Sequence, residues 1–155
     1  MTENEIINTL NDLIKVCNDG IEGFKACAEN SNIDMPKLKT YLINRQNDCA
    51  RAADELRAMV LERGADPTTG TTASGSLHRG WLNIQTTIAG KDNVVVLEEC
   101  ERAEDVAKDI YLKALLQDLP EPIRAVVDRQ YRGLLHNHLV IKELRNIEMR
   151  AHHVD

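Results

Sequence analysis

A carboxylate stands where an apolar residue belongs. In the segment 92–117, the residues that recur at alternating spacings of three and four are Leu97, Cys100, Glu104, Ala107, Tyr111 and Ala114. That spacing marks the stripe an α-helix turns toward its neighbours. The segment 35–63 presents Leu38, Leu42, Arg45, Cys49, Ala52, Leu56 and Met59, and the segment 121–150 presents Ile123, Val127, Gln130, Leu134, Asn137, Ile141 and Leu144. Polar side chains therefore interrupt three apolar stripes near their middles. An acid inside a helix bundle supports one of three chemistries: it ligates a metal, it carries a proton, or it anchors a structural polar layer.

The elements that must hold these residues are all helical. The first is expected over residues 3–29. Thr2-Glu3-Asn4-Glu5 reads as a capping box, in which hydroxyl and carboxylate satisfy each other's free amides. Its inward stripe is Ile6, Leu10, Leu13, Cys17, Gly20, Phe24 and Cys27. Gly20 and Gly23 each cost roughly 1 kcal/mol relative to Ala in a helix, which points to close approach of a neighbour. A second helix is expected over 35–63, with Asp34 as its N-cap, Pro36 in the first turn and Gly64 at its C-terminal end. The stretch ADPTTGTTASGS that follows has the composition of a flexible loop. A shorter amphipathic helix over 77–89 then carries Leu77, Trp81, Ile84 and Ile88 on one side. Asp92 caps the next helix, 92–117, and the Pro120-Glu121-Pro122 corner separates it from the last, 121–150.

Loop lengths give the topology. Short links join the first helix to the second and the third long helix to the fourth, so each pair is an antiparallel hairpin. The long link between the hairpins, including the 77–89 helix, reaches back along the bundle. Two hairpins joined by such a crossover make a ferritin-like four-helix bundle, all-α and one domain over 1–155.

Counting residues from shared ends brings Arg45, Gln46, Cys49, Glu104, Tyr111, Gln130, His136 and Asn137 to about one level. Di-iron centres of ferritin-like bundles occupy that level and need a Glu from each of two helices plus Glu-x-x-His from the other two. Here the second helix offers Gln46-Asn47-Asp48-Cys49, and the last offers Gln130 and then His136, six residues apart rather than three. Asp19 and Glu22 of the first helix lie roughly opposite its stripe. No metal or other cofactor is therefore expected; the alternative is iron or manganese held by Glu101, Glu104 and His136. Desolvation disfavours a bare charge, so a buried carboxylate needs a partner. Two arrangements supply one: a Glu104–Arg45 pair, or a hydrogen-bonded network through Gln130 and Tyr111.

Other chemistries are poorly served. His136 and His138, two apart, lie on different sides of a helix, and His152 and His153 lie near the chain's end. Cys17, Cys27, Cys49 and Cys100 fall inside helical patterns without CxxC spacing and read as reduced, buried thiols. No Gly-rich phosphate loop follows a strand. A net charge of −6 argues against nucleic acid as a partner. Arg124, Arg129, Arg132, Lys142, Arg145 and Arg150 of the last helix are interrupted by Asp128, Glu143 and Glu148. No run approaches the ~18 apolar residues of a membrane span, and MTENEIIN lacks the apolar core of a signal peptide. A cytoplasmic setting is expected.

The stretches Leu10-Asn11-Asp12-Leu13, Asp19-Gly20-Ile21-Glu22-Gly23-Phe24 and Ala53-Asp54-Glu55-Leu56 carry a resemblance across nearly the whole chain. Its most distinctive part runs from Gly75-Ser76-Leu77-His78-Arg79-Gly80-Trp81 to Leu97-Glu98-Glu99-Cys100-Glu101-Arg102-Ala103-Glu104-Asp105, and Pro122, Gln130-Tyr131 and His136 complete it. The chain resembles a bacterial family of ferritin-like four-helix-bundle proteins known only as a domain of unknown function. The resemblance implies the fold and a cytoplasmic, stress-associated or housekeeping bacterial setting, with no established activity. Set against ferritins and rubrerythrins, Glu104 matches the carboxylate of the third helix, with Tyr111 downstream, while the Glu-x-x-His motifs do not match. The reading favours a non-catalytic structural or interaction protein that self-associates, with a degenerate di-iron site. A metal-binding ferritin-like oxidase or iron-handling stress protein is the alternative, and an anionic partner for the last helix is a third.

Overall fold

The computed structural model describes residues 1–29, 34–72 and 93–153. Its four helices are α1 (Glu3–Ala28), α2 (Pro36–Glu62), α3 (Asn93–Leu115) and α4 (Glu121–His153), and the described residues contain no strand. The expected 77–89 helix with Trp81, the 31–33 turn and the Asp92 cap lie outside the described residues.

Local sequence explains most of the helix ends. Thr2 Oγ1 accepts from Glu5 N at 3.1 Å and the Glu5 carboxylate accepts from Thr2 N at 3.0 Å, completing the capping box. Gly64 takes φ +73° just past α2, the left-handed turn that glycine adopts without a Cβ clash. Arg124 donates to the carbonyls of Leu115 (2.9 Å) and Gln117 (3.1 Å), satisfying acceptors left free where α3 stops before the proline corner. One expected cap is different. Met35, not Asp34, holds the N-cap position of α2 and makes no side-chain cap bond. Pro36 follows it and has no N–H to cap. The Asp34 carboxylate instead accepts from Asn93 Nδ2 at 2.6 Å, tying the start of α2 to the start of α3.

Contacts between helix ends set the directions. Arg63, after α2, bonds Glu3 at the start of α1 at 2.7 Å, so α1 and α2 are antiparallel. Asn93 at the start of α3 also reaches Glu148 near the end of α4 at 3.3 Å, so α3 and α4 are antiparallel. Thr9 of α1 meets Gln117 beyond the end of α3 at 3.4 Å. The link from α2 to α3 therefore joins opposite ends of the bundle.

The described part of that link climbs along α1. Thr68 N donates to Asn11 Oδ1 (2.9 Å), Asn18 Nδ2 donates to the Gly70 carbonyl (2.9 Å), and Thr72 N donates to the Asp19 carboxylate (3.2 Å to Oδ2). The strap of residues 65–72 thus covers the side of α1 opposite its stripe, which is why Asn18 and Asp19 are buried. The apolar core joins the four stripes, with Leu10, Leu13, Ile14, Leu38, Leu42, Leu56, Val60, Val96, Leu97 and Ile141 fully or almost fully withdrawn from solvent. The inner stripe of α4 is the exception. Ile123, Val127, Ile141 and Leu144 are buried, while Gln130, Leu134 and Asn137 between them are only half-buried. The bundle opens there.

Candidate functional site: a paired acid beside a half-open cavity

Glu104 sits in the middle of α3, and its side chain is 1 % exposed. Arg45 Nε of α2 donates to its Oε1 at 2.8 Å, with the Arg45 side chain 6 % exposed. Tyr41, one turn before Arg45, donates its hydroxyl to the same oxygen at 3.4 Å. The guanidinium carbon lies 5.2 Å from the centre of the Phe24 ring, a distance at which the ring's negative face attracts a cation. Phe24 meets the Tyr41 ring edge-on, with centroids 6.3 Å apart. Burial is the largest single influence and would weaken the Arg45 charge, but the Glu104 carboxylate and the neighbouring Cys49 and Tyr41 together outweigh it and hold the group above its ordinary pKa. Burial, reinforced by the Glu104 charge, pushes the Tyr41 phenol up and keeps it a donor.

About two turns toward the C-terminus of α3, a second polar chain crosses the bundle. Tyr111 donates its hydroxyl to Gln130 Oε1 at 2.7 Å. With that proton committed, the Cys17 thiol 3.5 Å away must be the donor to Tyr111. Gln130 Nε2 closes the chain on the Ala52 carbonyl and Glu55 Oε1, both at 3.4 Å. Burial pushes Tyr111 up, and it pushes the thiols of Cys17 to about 11 and of Cys49 to about 12. All four cysteines are buried and free, and burial keeps Cys17 and Cys49 as thiols at neutral pH.

Between α2 and α4 a half-open cavity of about 350 Å³ reaches in to both groups of residues; Cys17, Arg45, Cys49, Glu104, Tyr111, Gln130, His136 and Asn137 all line it. A second depression shares Arg45, Asp48, Arg51, His136 and Asn137 and continues toward Pro36 and Leu144. His136 is exposed and Asn137 half-buried on the rim. Gln46 is half-buried and lines neither space, because its side chain leaves α2 one residue past the inward-facing Arg45, about 100° around the helix. Tyr41, Phe24, Asp48, Glu55 and Arg129 belong to this region although the stripes did not single them out for chemistry. Tyr41 carried a signal: it stands four residues before Arg45, on the same side of α2.

The carboxylates here are matched with arginines. Asp48 accepts from Arg45 at 3.3 Å and pairs with Arg51, and Glu55 pairs with Arg129. Glu101 pairs with Arg145 of α4 at 2.5 Å, and His138 lies 3.3 Å from Asp105. Among the described residues, no three of His, Cys, Asp and Glu gather so as to hold a metal ion. No helix of these residues is long and apolar enough to cross a membrane.

Among known proteins, no curated protein matches this chain. A family model described as a domain of unknown function (DUF2383) matches residues 5–117, the span from the first turn of α1 through the end of α3, with α4 outside it. Through the helices that carry Arg45, Glu104 and Tyr111, the chain belongs to the DUF2383 family.

Proposed function

We propose that this protein is a ferritin-like bundle in which a guanidinium takes the place of a metal ion. It acts as a non-catalytic structural or interaction protein in a bacterial cytoplasm, where it self-associates. The observation that carries this reading is Arg45 Nε on Glu104 Oε1 at 2.8 Å: the carboxylate positioned for ligation is already neutralised by a cationic side chain. Glu101, the other acid considered for a metal, likewise carries Arg145. The antiparallel hairpins and the link between opposite bundle ends support the ferritin-like order. Self-association draws support from four exposed leucines on the second hairpin: Leu112 of α3 and Leu116 just past its end, and Leu135 and Leu139 of α4. Each pair is four residues apart and so shares one side of its helix.

Elemental analysis of untagged protein tests the first part. We expect iron and manganese well below one per chain; stoichiometric metal that disappears in Glu104→Ala or Glu101→Ala supports the iron-handling alternative and overturns the reading. Light scattering over a concentration series tests the second. A mass above that of the monomer, reduced by Leu116→Glu or Leu139→Glu, is the expected result, and a monomer at all concentrations refutes self-association.

A further inference from the structure

Every arginine and every carboxylate lining the cavity between α2 and α4 is paired within the protein. Arg45 bonds Glu104 at 2.8 Å and Asp48 at 3.3 Å. Arg51 takes the other oxygen of Asp48, and Arg129 pairs with Glu55. Three guanidiniums thus stand against three carboxylates, and no charge is left over for an ionic guest. An ion entering here would give up its hydration and then stay unmatched or break one of these pairs. An uncharged molecule faces neither cost.

Much of the remaining lining is apolar. Val16 of α1, Ala52 of α2, Ala103 and Ala107 of α3 and Leu134 of α4 contribute hydrocarbon from all four helices. The half-buried Asn137 offers a neutral amide at the rim. The volume is about 350 Å³. Small-molecule sites occupy roughly 300–1,000 Å³ and combine an apolar lining with a few polar groups. An apolar cavity of only ~150 Å³ already admits benzene. Nor does the backbone impose the empty space. Gly133 lines it, and a Cβ there would meet nothing within 4 Å, so a larger side chain could occupy it. We infer that the cavity binds a small uncharged molecule, mostly hydrocarbon, with its hydrogen-bonding group at the Asn137 rim. Binding needs no bond to Glu104, so it goes beyond the metal-free, self-associating reading above and stands or falls apart from it.

Calorimetric titration of the full chain with three probes of similar shape tests this: tryptophol, which is uncharged, tryptamine, a cation, and indoleacetate, an anion. We expect saturable one-to-one binding of tryptophol, at least tenfold tighter than either ion. Methyl shifts in magnetic resonance spectra should concentrate on Ala52, Ala103, Ala107 and Leu134, which locates the guest without any substitution. Gly133→Trp should keep the circular dichroism of the unaltered protein and weaken tryptophol at least tenfold. Absence of tryptophol binding, equal affinity for the three probes, shifts centred elsewhere, or undiminished affinity in a folded Gly133→Trp overturns the inference. Should Gly133→Trp fail to fold, the probe comparison and the methyl shifts still decide.

Discussion

A Cβ built on Gly20 of α1 would lie 2.6 Å from the Cys49 sulfur of α2, so the first hairpin closes through a contact that only glycine permits. An exposed helical Gly→Ala change gains up to roughly 1 kcal/mol. Here the sulfur is buried and must move, and overpacking of this kind costs about 1–3 kcal/mol. We expect Gly20→Ala to lower stability in urea despite its better helix propensity. Removing the sulfur as well, in Gly20→Ala/Cys49→Ala, should recover much of the loss, giving a coupling energy that a double-mutant cycle measures.

The Arg45–Glu104 pair should be costly to break and cheap to replace. Arg45→Ala leaves the Glu104 carboxylate buried without its cation, a situation that costs about 3–5 kcal/mol. Arg45→Met/Glu104→Leu removes both charges and keeps most of the volume, and apolar replacements of buried pairs are often neutral or better. We expect chemical denaturation to rank the double variant well above either single alanine variant. Matching stabilities for Glu104→Ala, Glu104→Leu and the unaltered protein would contradict the burial of this side chain.

Asp19 should control the strap. Its carboxylate accepts from Thr72 N at 3.2 Å and from the Thr72 hydroxyl, and removing a buried acceptor leaves these donors unmatched. Asp19→Ala is expected to cost about 1–3 kcal/mol. The effect should be local, seen as faster hydrogen exchange and proteolysis over 65–72 while the centres of α3 and α4 keep their protection.

The buried thiols make the fold sensitive to alkali. Cys17 and Cys49 rise from 9.0 to about 11 and about 12 on burial. Above pH 9 the unfolded chain loses these protons while the folded chain keeps them. Their contribution is thus fully present below pH 9 and is lost as pH rises toward about 11–12. Urea midpoints should fall across that window, and less steeply in Cys17→Ala. At pH 8, a thiol reagent should label the native protein only as fast as it opens.

Periodicity made much of this architecture legible. The inward stripes of α1 and α3 follow from the spacing of Ile6 through Cys27 and Leu97 through Ala114, because the helical repeat alone decides which residues share a side. The capping box, Pro36 and Gly64 marked ends through backbone chemistry that is local to a few residues. Heights counted from the hairpin ends were good to about one turn. That put Glu104 at about the level of Arg45 and Gln46, and Arg45 is its partner.

Tertiary structure decided the rest, because partner choice depends on distances between helices that no single stripe contains. Asp34 had the residue type of a cap, yet its carboxylate went to Asn93 across the bundle. Asp19, opposite its stripe, read as a surface acid until the returning strap covered it. Glu104 could have joined Tyr111 and Gln130; side-chain reach gave it Arg45 and Tyr41 and left Tyr111 to Cys17 and Gln130. The cavity opens where Gln130, Leu134 and Asn137 of α4 are only half-buried. The sequence determined which residues turn inward; packing between helices determined which of them meet, and where the interior stays open.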